Sequence, residues 1–64
     1  MDPEQTIVDM GQALKASRFD DLLELSSALI EWMERGGFAP SNHPRPMEYA
    51  HDSQRFARQK VGSA

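Results

Sequence analysis

Apolar residues recur at helical spacing in two separate runs of the chain. In the first, Ile7, Met10 and Leu14 fall three and four apart with Val8 beside them, which is the pattern of one apolar face on an α-helix. In the second, Leu22, Leu25, Leu29, Trp32 and Met33 make a stripe that Leu23 and Ile30 widen to a second flank. The signals at the ends agree with this periodicity. Asp2 followed by Pro3 predicts an N-cap with proline at the first helical position, and Gln5 stands where a capping-box partner belongs. Between the runs, Ala16 to Asp21 breaks the pattern, and Ser17 with Asp20 three later predicts the cap of the second helix. That helix is expected from about Phe19 to Arg35, with Glu31 and Arg35 paired on its surface. Gly36-Gly37 stops it, because one of the two glycines takes the left-handed cap. Phe38 then falls where an apolar residue folds back on the last turn.

Beyond the stop the pattern changes. Pro40, Pro44 and Pro46 remove backbone donors and fix extended geometry, which predicts a stiff polar connector over residues 39–46. Residues 47–61 leave room for a short third helix, with Tyr49 and Phe56 seven apart on a thin apolar face. The expected division is therefore a helical hairpin over 1–38, a Pro-rich connector over 39–46 and a partly ordered or short-helical basic tail over 47–64, frayed at 62–64. Gly11 lies in the same face as Ile7, Met10 and Leu14. It is either a weak point costing ~1 kcal/mol against alanine or a place where another helix approaches closely.

These elements predict an all-α fold. Two helices joined by a few residues pack as an antiparallel hairpin. A hairpin cannot surround its own stripe, and 64 residues stand near the lower limit for folding alone. The leftover apolar surface has to meet a third helix, a second copy or a different protein. A dimeric four-helix bundle is the simplest solution, since closed two-fold dimers are the commonest oligomers. Its expected contact residues are Ile7, Met10, Gly11, Leu14, Leu22, Leu25, Leu29, Trp32 and Met33.

Composition and charge narrow the function classes. There is no cysteine, which removes disulfides and thiolate metal sites and agrees with a cytoplasmic protein. No apolar run approaches the ~20 residues of a membrane span, and the N-terminal MDPEQTIVDM is too polar for a signal peptide. Net charge is -3, divided into -5 over residues 1–37 and +2 over 38–64, which argues against general binding to nucleic acid. Both histidines, His43 and His51, fall after the double glycine, eight apart, without four-ligand spacing or a nearby nucleophile arrangement. No phosphate-binding glycine loop precedes a helix, and Asp20-Asp21 are explained by a helix start. No enzyme activity, metal or cofactor is expected.

The chemistry that remains is recognition. Tyr49, Arg55, Phe56 and Arg58 mix aromatic and basic side chains in a C-terminal recognition segment. The expected function is a small non-enzymatic protein–protein interaction or regulatory module, working as a homodimer or with a protein partner. The alternatives are a nucleic-acid-binding accessory protein using the basic tail, and a structural subunit of a larger assembly.

Overall fold

A computed structural model describes residues 1–62, which form an all-helical chain of α1 (Pro3–Lys15), α2 (Phe19–Glu34) and α3 (Pro46–Gly62). The start of α1 follows from its first five residues. Asp2 is extended, and its carboxylate accepts from the backbone N–H groups of Glu4 and Gln5 at 3.1 and 3.2 Å. Gln5 does not reach back to complete a capping box. Its side-chain amide donates instead to Asp9 at 3.0 Å, one turn further along.

Both short helices end in the same way. After α2, Gly36 is left-handed at φ 89°, its N–H donates to Met33 O at 3.1 Å, and Gly37 N–H donates to Trp32 O at 2.9 Å. This crossed pair of bonds satisfies carbonyls that a helix end leaves open. After α1 the left-handed position is held by Ser17 at φ 57°, whose N–H donates to Leu14 O at 3.2 Å, while Arg18 N–H donates to Ala13 O at 2.8 Å. Ser17, expected to cap α2, therefore terminates α1. Arg18 takes the N-cap of α2 and makes no side-chain cap bond. The three-residue link has to reverse the chain at once, and that demand overrides the capping preference of serine.

Gly37 has a second reason to be glycine. A Cβ there would strike the Trp32 indole. The indole lies against the backbone of the turn, its Nε1–H donates to Phe38 O at 3.0 Å, and the Phe38 ring meets it edge-on at 5.6 Å. Phe38 does fold back on the last turn, with 67% of its surface still exposed. Arg35 pairs with Glu31 at 2.5 Å, four residues back on the surface of α2.

The longest helix is α3, where the sequence left order open and suggested only a short helix. Its contact face is made of small residues. Ala50 and Ala57, seven apart, are fully buried, and Gln54 between them donates to Ser27 Oγ at 3.0 Å. Ser26 of α2 is also fully buried, with its hydroxyl donating to Leu23 O at 3.1 Å. Two faces without bulk approach closely, and a few methyls seal the seam. The Phe19 ring at the start of α2 meets Phe56 late in α3, edge-on at 5.7 Å, so these two helices run in opposite directions. Of the frayed end expected at 62–64, Gly62 belongs to α3, and Ser63 and Ala64 lie outside the described residues.

The core sits around α2. Ile7, Met10 and Ala13 come from α1, Leu22, Leu29 and Ile30 from α2, and Ala50 and Ala57 from α3. Among the described residues α1 and α3 each pack on α2, and no backbone contact joins them to each other. The connector differs from the extended spacer its prolines suggest. Pro40 is buried, Ser41 donates its hydroxyl to the Glu4 carboxylate, and the Asn42 side-chain amide donates to Glu4 O at 3.1 Å. His43 then stacks on Tyr49 at 4.4 Å, and His43 Nδ1 accepts the Arg45 N–H at 3.1 Å. The segment turns back across the start of α1 because its short polar side chains find partners there.

Candidate interaction surface

The residues expected at a dimer contact divide into three sets. Ile7, Met10, Leu22 and Leu29 lie in the chain's own core, with Met10, Leu22 and Leu29 at 0–1% exposure. These four are buried in the three-helix core, so none of them lies open on the surface of the single chain. Leu25, Trp32 and Met33 are half-buried and pack against the core. Gly11 and Leu14 form the third set, turned away from the core. No atom lies within 4 Å of a Cβ built on Gly11, and Leu14 is 44% exposed. Gly11 is not a close helix contact inside the chain, since no other helix approaches it there.

The tail residues also part company. Tyr49 and Phe56 face a groove that opens between α1 and α3. It has a volume of about 250 Å³ and is lined by Leu14, Leu22, Tyr49, Asp52, Ser53 and Phe56. Its walls follow from helical spacing, because Tyr49, Ser53 and Phe56 stand four and three apart on α3, with the small Ser53 in the middle. Arg55 and Arg58 are exposed on α3, and Arg55 lies 3.6 Å from Asp52 on the preceding turn. Lys60 sits over the Phe56 and Phe19 rings, 5.4 and 5.9 Å from their centroids. Two of the late bases are thus engaged within the chain.

A second depression, about 480 Å³, runs between α1 and α2 on a polar side of the molecule. Asp9, Asp21 and Glu24 stand at its edges, Leu25 lies within it, and Arg18 is 3.8 Å from Asp21. Among the described residues no group of three or more His, Cys, Asp or Glu side chains converges as a metal site would require, and no helix is long and apolar enough to cross a membrane. His43 is taken up by its stack on Tyr49, and His51 is exposed.

The alanine pair Ala50 and Ala57 is what the sequence reading missed. Its signal was present, since both fall on one face of the third helix with Gln54 between them, but alanine does not register as an apolar stripe. Comparison of the chain with protein-family models, with curated proteins and with solved structures finds no match.

Proposed function

We propose that this chain is a small non-enzymatic interaction module that works by self-association, and that the side of the molecule bearing Leu14, Gly11 and the α1–α3 groove is the surface it buries. The groove carries this reading. Leu14, Leu22, Tyr49 and Phe56 are contiguous there, with Leu14 and Phe56 exposed by 44% and 39%. A single exposed leucine means little, but a contiguous apolar patch between two helices whose backbones make no contact is a surface awaiting a partner. Burying it against another helix would turn three helices into a bundle with a closed core.

Light scattering coupled to size exclusion tests the reading. The chain should run at twice its 7.2 kDa mass at high concentration and shift toward monomer on dilution. Leu14→Asp should abolish the dimer while leaving the helical circular dichroism intact, because this side chain adds little to the monomer core. A wild-type chain that stays monomeric throughout would overturn self-association.

A further inference from the structure

Glu4, Val8, Gly11 and Lys15 recur at four, three and four residues along α1, which places them on one stripe of that helix. The chain's own core does not use this stripe. Glu4, Val8 and Lys15 are exposed, and the space over Gly11 is open. We infer that this stripe is the seam of a two-fold homodimer. In it, α1 of one copy lies antiparallel on α1 of the other, with the axis between Val8 and Gly11. The inference deepens the self-association reading and rests on it.

Two features of the stripe match it to a second copy of itself. The first is shape. An antiparallel pair centred there sets Val8 against the partner's Gly11, and the partner's Val8 against Gly11. Val8 is 44% exposed, and Gly11 offers the facing notch. The second is charge. The same register sets Lys15 against the partner's Glu4 at both ends of the seam. A parallel pairing would set lysine on lysine and glutamate on glutamate, so the charges select the antiparallel form. Exposed pairs of this kind add little affinity and mainly fix orientation and register.

The surroundings fit the same geometry. Ser41 holds one oxygen of the Glu4 carboxylate and so steadies it at the end of the stripe. Leu14 stands three residues from Gly11 and is its neighbour on the helix surface. A helix seated on the stripe therefore also covers the α1 wall of the groove. The affinity comes from Val8, Leu14 and the groove, and the charges decide which way round the copies meet.

The test uses two charge-reversal variants of the full chain, Lys15→Glu and Glu4→Lys, each checked for folding by circular dichroism. Their masses are followed by light scattering from ~10 µM to ~1 mM, a range suited to a small interface. Each variant alone should dimerise about tenfold or more weakly than wild type, because like charges meet at both ends. An equimolar mixture should recover a one-to-one dimer, because opposite charges are restored at both ends. If either folded variant dimerises as tightly as wild type, the seam is wrong and self-association stands. If the two folded variants stay monomeric on mixing, the pairing is equally overturned. A monomeric wild type removes both proposals.

Discussion

At the scale of single residues, the two helix ends show what a backbone requirement does to side-chain choice. Both put a residue in the left-handed region and close the same crossed pair of hydrogen bonds. The end of α2 uses Gly36, which has no Cβ to clash. The end of α1 uses Ser17, which bears the steric cost of a left-handed L-residue. Ser17→Gly should therefore stabilise the chain by about 1 kcal/mol, visible as a higher midpoint in urea at unchanged slope. A lower midpoint would mean that the serine hydroxyl contributes something its backbone position does not explain. Serine also shows why this site was not legible beforehand. The residue is a good N-cap, and three residues later an aspartate completes the appearance of a capping pair. Only the geometry of the tight link shows that the residue is closing the helix before it and not opening the one after.

At the scale of elements, the seam between α2 and α3 rests on missing bulk. Ala50 and Ala57 are fully buried, and the facing surface offers Ser26 and Ser27. Ala57→Leu should cost about 1–3 kcal/mol, because an isobutyl group in place of the methyl has no space to enter without pushing the helices apart. Thermal melts followed by circular dichroism would measure it, and an unchanged melting point would show that the seam is looser than described. The same seam explains how much of the fold could be seen in the sequence. Helices α1 and α2 were legible because large apolar side chains mark them and Asp2, Pro3 and the double glycine mark their ends. The third helix was legible only as a possibility, because its two most buried residues are alanines. Its large residues, Tyr49 and Phe56, line the groove at the margin of the packed face, while the centre of that face is held by the two alanines.

At the scale of the whole molecule, the third helix changes what the apolar stripe means. A hairpin alone would need a second copy to cover Met10, Leu22 and Leu29. With α3 in place, these three are interior, and of the candidate contact residues Leu14 and Gly11 are the ones left open, with Leu14 in the wall of the groove. The candidate residues named from periodicity therefore mixed buried and exposed positions, which a stripe cannot separate because both share the same spacing. The division of charge survives the folding in a specific form. The net -5 of residues 1–37 resides on α1, α2 and their link, and the net +2 of residues 38–64 resides on the connector and α3. Within that division Lys15 is one of the few bases on the acidic part, and it lies on the stripe with Glu4.

The central place of α2 has a dynamic consequence. Because the backbones of α1 and α3 pack on α2 and make no contact with each other, either outer helix can detach while the other stays docked. The middle helix has no such route, since exposing it fully requires losing both neighbours. Amide exchange should therefore be graded by position in the packing and not by helix length. Amides around Ser26 to Ile30 should be the slowest in the chain, exchanging only through global unfolding. Those of α3 should exchange sooner through partial opening, although it is the longest helix of the three. Hydrogen–deuterium exchange read residue by residue would show this order. Equal protection in α2 and α3 would mean that the three helices open as one unit.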